Sequence, residues 1–283
     1  MPELENHLNS AHAAGNSQAE IDALREIAQT YILSGNLDQA LTTLETELEI
    51  HRRHHHPKGD QAVTHHNIGI ILRRQGKHDA ALEHFQAELG IWEAASVINP
   101  KSFLPLVADT LFQIGASYTG LGNLEKGMEY FEGTRQLART IHDRPAEMQA
   151  LQGIGRIHSQ RGQLNQALGY YQSSLKLSRQ LGHRQTEAQN LTNIGDVYHT
   201  QGKLRDSLKH LNLGLPILRE LGDQLNLADT LWKIGHVYEQ LNQLPESASA
   251  LTETLALYKT IGSPQVEQVQ KHLDRVQSKI ILK

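Results

Sequence analysis

The chain has 283 residues, 39% hydrophobic and 20% charged, and its 31 acidic and 27 basic side chains give a net charge of −4 at pH 7. This balance offers no basic surface for a nucleic-acid partner. The absence of cysteine excludes disulfides and thiolate metal sites, and it fits a reducing compartment. The N-terminus lacks the features of a secretory signal, and no apolar run reaches the ~18 residues of a membrane span, so we expect a cytoplasmic protein without membrane insertion.

The first predicted element is a short amphipathic helix over residues 3–14, with apolar side chains at three- to four-residue spacing. Gly15 follows it and aligns with Gly182, a glycine that precedes a later copy of the repeat described next. We therefore interpret residues 1–17 as a half-repeat that caps the N-terminal end.

One sequence pattern then occurs six times. In each copy an isoleucine precedes a small residue, and successive copies are 41, 46, 40, 40 and 40 residues apart. Self-similarity at such a period predicts a solenoid of stacked repeats. The small residues are Ala28, Gly69, Gly115, Gly155, Gly195 and Gly235.

The features of each copy predict two antiparallel helices. In the fifth copy, Leu191 and Ile194 belong to the apolar stripe of a first helix, and Gly195 allows a second helix to approach closely. Gly202 ends the first helix, because glycine adopts the left-handed conformation at little steric cost. One such pair cannot bury both of its apolar stripes, so neighbouring pairs must stack.

The connection over residues 51–67 is rich in histidine and departs from the pattern. Pro57 and Gly59 predict a loop, with His56 at the position of the glycines that precede later repeats. Imidazole suits zinc, copper or nickel, but no obvious ligand set is completed here. We expect a solvated basic loop rather than a metal site, and the metal alternative stays open. The histidines are His51, His54, His55, His56, His65 and His66.

The connection over residues 93–109 contains the extra residues of the 46-residue step and is unusually apolar. One interpretation is a lengthened helix and loop that bury these side chains against their own repeats. The alternative is an exposed apolar lip that contacts a partner or another subunit.

At the other end of the chain, a final amphipathic helix over residues 264–283 is expected to cap the array with its polar face, and Arg275 stands where a seventh glycine would fall.

The order of these positions resembles the tetratricopeptide repeat, whose pattern is an apolar residue, Leu-Gly, Tyr, a turn Gly, Ala and an aromatic residue. Here the fifth copy has Ile194, Gly195, Tyr198, Gly202 and Ser207. The usual repeat is about 34 residues, so the 40-residue step resembles the longer-helix subclass of kinesin light chains, spindle-orientation adaptors, bacterial pheromone sensors and cyanobacterial signalling proteins.

The resemblance covers nearly the whole chain and implies an all-α fold, a right-handed α-solenoid of six helix pairs in one domain. The expected repeats span residues 18–53, 61–92, 108–140, 146–181, 186–221 and 226–261. No phosphate loop, nucleophile elbow or zinc-protease motif is present in the sequence. We therefore expect a protein that is not an enzyme and needs no cofactor.

In tetratricopeptide proteins the first helix of each pair lines a concave groove. Carrying that property onto this sequence gives a candidate peptide-binding surface. Its residues are Arg25, His66, Asn67, Arg73, Arg74, Phe112, Gln152, Arg156, Asn193, Asp196, His199, Trp232 and His236.

The chemistry of this set indicates the type of partner. Phe112 and Trp232 are large apolar groups at positions where core packing is not expected to require them, so they are candidate anchors. Asn67 and Asn193 resemble the asparagines that hold a bound peptide backbone in this family. The arginines of the set can pair with carboxylates. The expected ligand is a protein or peptide segment with acidic residues and an apolar anchor.

Sequence alone leaves several functions open. The leading hypothesis is an adaptor that binds a segment of a partner protein in the groove. The alternatives are a peptide-sensing regulator of a signalling system, with its output on another polypeptide, and a scaffold that assembles into homo-oligomers.

Overall fold

A computed structural model describes residues 2–281, which form fourteen α-helices and no strand. An unpaired helix stands at each end of six consecutive pairs. The helices are α1 (Pro2–Ala13), α2 (Ser17–Leu33), α3 (Leu37–Arg53), α4 (Lys58–Arg74), α5 (His78–Ile98), α6 (Pro100–Gly120), α7 (Leu124–Ile141), α8 (Arg144–Gln160), α9 (Leu164–Leu181), α10 (Arg184–Thr200), α11 (Leu204–Leu221), α12 (Gln224–Gln240), α13 (Leu244–Thr260) and α14 (Val266–Ile281). The all-α repeat fold predicted from the sequence is confirmed.

The chain divides into two compact units, unit 1 up to Gly153 and unit 2 from Ile154 onward. The division falls inside helix α8. Within each unit the helices pack mainly against their neighbours in chain order, as expected when each repeat contacts only the next. The arrangement of the whole chain as a single domain stays a prediction.

The small residue of each first helix lies where the second helix approaches most closely. A Cβ atom built on Gly69 would lie 2.6 Å from the buried ring of Phe85, and one on Gly195 would lie 2.7 Å from Leu211. Both distances are far below ordinary van der Waals contact. The packing role predicted for these glycines is therefore confirmed.

The turn after each first helix uses a left-handed residue, as predicted. Gly202 has a φ of +73°, and Asn242 takes the same conformation in the sixth pair with a φ of 60°. Before α4 the left-handed residue is His55, with a φ of 53°, and not the predicted His56. The alignment of that connection with the later repeats is thus wrong by one residue.

The prediction of a solvated loop over residues 51–67 is wrong for most of the segment. Helix α3 continues to Arg53 and α4 begins at Lys58, so few residues lie between them. His51 and His65 face the protein interior, with 1% and 7% of their surface exposed. Their neighbours in α3 and α4 are described with the candidate site.

The 93–109 segment is partly buried and partly exposed, so each of the two interpretations holds for part of it. Helix α5 is lengthened to Ile98 and only Asn99 separates it from α6. Phe103 stacks on Trp92 with ring centroids 5.7 Å apart, and Val107 is buried. Val97 and Ile98, however, are 84% and 87% exposed. The expectation that the apolar groups are buried is therefore wrong for these two.

The last helix, α14, packs one face on α12 and α13. Val269, Leu273 and Val276 are buried in a cluster with Leu251 and Tyr258. The opposite face of α14 is exposed and polar. This helix therefore closes the apolar end of unit 2 as a cap, as predicted.

Candidate functional site

The predicted site residues all lie on first helices of the pairs. We use the term first-helix face for the exposed and half-buried side chains of α2, α4 and α6 in unit 1, and of α8, α10 and α12 in unit 2. Gln152, near the end of unit 1 on α8, is half-buried and already interacts within the protein. The two units are described in turn.

In unit 1, Arg25 is held by a buried carboxylate. Its Nε donates to Oε1 of Glu47 at 2.8 Å, and Glu47 is only 1% exposed. The same oxygen accepts from Thr64 at 2.9 Å and lies 3.3 Å from Nε2 of His51. Glu47 thus joins α2, α3 and α4, whereas its Oε2 is buried without a hydrogen-bond partner.

The next repeat contains an equivalent cluster around Glu88. The carboxylate accepts from His66 at 3.1 Å, from the indole nitrogen of Trp92 at 3.1 Å and from Thr110 at 2.9 Å. Asp109 lies 3.7 Å from the His66 ring. Burial alone would lower the pKa of His66, but the hydrogen bond and charge of Glu88 outweigh it, so the pKa is raised.

These buried glutamates are functional-site neighbours that sequence reasoning missed. A signal exists, because Glu47 and Glu88 are one 41-residue step apart in the second helices. The four later repeats have Thr134, Ser174, Gly214 and Thr254 at this position. Glutamate thus occupies this position in two repeats, whereas the later repeats have small residues there. This difference indicates that the glutamates are buried partners of Arg25 and His66.

The remaining unit 1 candidates differ in accessibility. Arg74 is exposed, and Asn67 is half-buried without a hydrogen bond among the described residues. Arg73 is half-buried and acts electrostatically on His66. Phe112 packs against Phe131, with ring centroids 5.3 Å apart, so part of this predicted anchor belongs to the core.

In unit 2, Arg156 is the arginine of the predicted site. It is exposed and has no ion-pair partner among the described residues. The protein around its guanidinium group desolvates it and lowers its pKa, although part of the side chain meets solvent. Both Arg156 and Asp196 act on the buried Tyr171, whose pKa is raised to about 12, chiefly by burial. Arg156 and Asp196 therefore share one neighbourhood.

Other polar candidates of unit 2 surround this neighbourhood. Asp196 is paired with Lys233 at 2.6 Å, and Nε2 of His199 is 2.9 Å from the side-chain oxygen of Gln240. Asn193 is half-buried and makes no hydrogen bond with the described residues. Its amide and the Arg156 guanidinium are thus available groups on this face.

Trp232 does not have the predicted independence from packing. Its ring packs against the cluster of α12, α13 and α14, and its Nε1 donates to Nδ1 of His272 at 3.2 Å. His236 is exposed and lies edge-on to His272, with ring centroids 4.2 Å apart. The expectation that core packing does not require Trp232 is wrong, because its ring and Nε1 hold the cap helix.

Among residues 2–281, no three His, Cys, Asp or Glu side chains are placed together as metal ligands. His65 and His84 do meet, with their Nδ1 atoms 3.0 Å apart, but they form a pair without a third ligand among the described residues. None of the described helices has the length and apolar character required to cross a membrane.

The family model described as tetratricopeptide repeat matches residues 19–94, 106–180 and 186–260. A search of curated proteins gives no match.

Solved structures share the fold at low sequence identity. BtubC (BKLC) from P. vanneervenii has a TM-score of 0.66 and 16% identity, over 80% of this chain and 92% of that one. A Rap protein complexed with Competence and Sporulation Factor has a TM-score of 0.68 and 13% identity, over 97% and 79%. The Rap conjugation gene regulator of plasmid pLS20, in complex with the Phr* peptide, has a TM-score of 0.65 and 15% identity, over 96% and 76%.

Proposed function

Because the chain belongs to the tetratricopeptide repeat family, we propose that it is a non-catalytic scaffold that binds a peptide segment of a partner protein on its first-helix face. We place the principal contact in unit 2, around Arg156 and Asn193. The ligand is a segment with at least one carboxylate. A cytoplasmic location fits the absence of cysteine.

The state of Arg156 is the observation that supports this proposal most strongly. Arginine stays charged in proteins, and the Arg156 guanidinium is exposed on this face without an ion pair among the described residues, so it is accessible to a carboxylate. An acidic side chain or chain terminus of a ligand supplies that partner through a charge-assisted hydrogen bond. The nearby acid on this face, Asp196, is already neutralised by Lys233.

Trp232, which the sequence predicts as an apolar anchor, is a poor position for a test of the proposed contact. Trp232 contributes to the attachment of α14, so a Trp232→Ala variant would disturb the cap as well as the surface. Arg156 and Asn193 have no such structural duty among the described residues. They are the better positions for a test.

The test selects random peptides displayed on phage against the wild-type protein and measures the affinity of the selected peptides by fluorescence anisotropy. We expect enrichment of Asp and Glu in the selected sequences. Loss of one charged hydrogen bond costs about 1.5–3 kcal/mol, so Arg156→Ala should weaken binding by roughly 10- to 150-fold.

Arg205→Ala is the matched control. Arg205 is exposed on the second helix α11 and has no ion pair among the described residues, so the variant loses the same charge elsewhere on unit 2. Its affinity should equal that of wild type. Selected peptides without acidic residues, or equal weakening by both variants, would contradict the proposal.

The similar structure of the Rap conjugation gene regulator in complex with the Phr* peptide raises a second form of the same function, in which the ligand is a short free peptide. Affinity alone does not separate the two forms. Small-angle scattering with and without the selected peptide does, because a sensor should change its dimensions on binding whereas a rigid adaptor should not.

A further inference from the structure

The outward side of α5 in unit 1 is an apolar surface that the peptide-binding function does not use. Val97 and Ile98 are 84% and 87% exposed at its C-terminal end. Beside them is a recess of about 400 Å³ whose walls include Ile91, Trp92 and Phe103. Two large, nearly fully exposed apolar side chains next to an apolar recess mark an interaction surface.

The equivalent surfaces of α3, α7 and α9 are more polar. Along α5 the exposed residues Ala87, Gly90 and Ala94 lead to Val97 at spacings of three and four, so they form one stripe on the helix. Helix α9 is the second helix two repeats further along the chain. At the positions equivalent to Gly90 and Ala94 it has Lys176 and Gln180. The α5 surface is therefore a departure from the repeat and not a consequence of it.

Charged residues at the two ends of the stripe have opposite signs. Asp79 and Glu83 are exposed in the N-terminal part of α5. Lys58 borders the recess at the other end of the helix, and Lys101 is exposed in the first turn of α6, just past the end of α5. The surface is thus acidic at its N-terminal end and has lysines at its C-terminal end, and the apolar stripe between them is flanked by the exposed Glu93.

We propose that this surface binds a second copy of the same chain, with the two α5 helices antiparallel. A two-fold axis near the middle of the stripe places Gly90 opposite Ala94 of the second copy and Ala87 opposite its Val97. Glu83 then faces the C-terminal end of the second copy's α5, beside which Lys58 and Lys101 lie, and the reverse contact forms by symmetry. A parallel pair would bring like charges together.

Three features favour this antiparallel arrangement. Antiparallel helices place opposite ends of their dipoles side by side. The small residues in the middle allow the helices to approach closely. The exposed Val97 of each copy reaches the Ala87 edge of the other recess. A 21-residue helix is about 31 Å long, so a single helix pair buries less than a standard interface of about 1,600 Å² and gives a weak, micromolar dimer.

Analytical ultracentrifugation of the full chain over roughly 1–200 µM tests the proposal, since this range brackets a micromolar dissociation constant. We expect a monomer–dimer equilibrium for wild type. Gly90→Lys, which introduces the residue that α9 has at this position, should raise the dissociation constant more than tenfold. A Cβ atom on Gly90 has no atom within 4 Å, so the fold tolerates the change.

Gly133→Lys is the control, because Gly133 is on α7 and is equally open. This variant should dimerise like wild type. A chain that stays monomeric at every concentration overturns the proposal. A dimer that Gly90→Lys leaves unchanged also overturns it.

Charge reversal tests the antiparallel register. Glu83→Lys and Lys101→Glu should each weaken the dimer, and the double variant should recover most of the wild-type affinity. A double variant no better than either single one would exclude this register. Glu83 and Gly90 are on the second helix α5 and Lys101 is at the start of α6 in unit 1, whereas the principal peptide contact is proposed in unit 2, so peptide binding reports on the proposed function separately.

Discussion

At residue 65 a histidine stands where the other five copies of the repeat have leucine. It is buried, and its Nδ1 lies 3.0 Å from Nδ1 of His84, so one ring must donate and the other accept. Burial, with a contribution from His84, lowers the pKa of His65 to about 4. The folded protein therefore requires this imidazole to be neutral.

This requirement predicts acid sensitivity. Since the pKa in the folded state is below its ordinary value of 6.5, the unfolded chain binds more protons between pH 6.5 and 4. Stability is constant above this window and falls as the pH drops through it. At pH 5 the loss relative to neutral pH is about 2 kcal/mol.

His65→Leu should remove that loss. We expect urea unfolding to show a larger gain in the free energy of unfolding at pH 5 than at pH 7.5. His7→Leu, at an exposed position on α1, is the control and should give no difference between the two pH values. An equal effect of His65→Leu at both would mean that His65 is not the acid-sensitive group.

Residue-scale contacts were predictable where they repeat and not where they occur in one or two copies. The close approach at Gly195 follows from a small residue present in every copy. The Glu47 and Glu88 clusters do not, because their partners Thr64 and Thr110 come from the following helix and only tertiary packing brings them together. Trp232 was misassigned for the same reason, since His272 lies 40 residues away.

At the scale of an element, one carboxylate of α12 makes three hydrogen bonds to α14. Glu239 accepts from His272 at 2.8 Å, from Arg275 at 2.8 Å and from Lys279 at 2.6 Å. Burial would raise the pKa of Glu239, but these three bonds outweigh it and lower the pKa to about 2. Because this pKa is below the ordinary 4.5, the attachment is complete above pH 4.5 and is lost only as the pH falls towards 2.

Glu239→Gln should therefore loosen the cap helix at neutral pH. The glutamine amide is neutral, so His272, Arg275 and Lys279 lose their negatively charged acceptor. Each charged hydrogen bond contributes about 1.5–3 kcal/mol. Hydrogen exchange followed by mass spectrometry should show at least tenfold faster exchange in α14, with α10 unchanged. Glu246→Gln, exposed on α13, should match wild type. Unaltered protection of α14 in Glu239→Gln would assign the attachment to apolar packing alone.

At the scale of the whole molecule, the dominant property is that helices pack mainly on their chain neighbours within each unit. Stability in such arrays is approximately a sum of repeat and neighbour contributions. Damage to one pair should therefore stay local. This contrasts with a globular domain, in which a core substitution lowers protection everywhere at once.

Gly235→Ala tests this locality in unit 2. The added Cβ atom would lie 2.9 Å from the side chain of buried Leu251, and overpacking of this kind costs about 1–3 kcal/mol. We expect faster hydrogen exchange in α12 and α13, and little change in α9. Gly169→Ala, in an open part of α9, should instead be neutral or stabilising, because alanine is the better helix former. Uniform loss of protection across unit 2 would show global cooperativity.

The fold class was predictable from the sequence because periodicity alone determines which faces are buried. The first-helix face was predictable only as a set of positions, since which of its cations are already paired depends on contacts between helices. Arg25 and His66 are compensated by buried glutamates, whereas Arg156 is not. The repeat pattern could not predict that difference.

The equal 40-residue steps from Gly155 to Gly195 to Gly235 also bear on how such a chain can evolve. In each of these repeats the glycine meets a side chain 16 residues further on. A duplication or deletion of one 40-residue block in this region, wherever its breakpoints fall, therefore restores the same neighbours at the new junction. The number of repeats can change by unequal recombination without a new interface having to arise. In unit 1 the steps of 41 and 46 residues differ in length, although Gly69 and Gly115 also meet a side chain 16 residues further on.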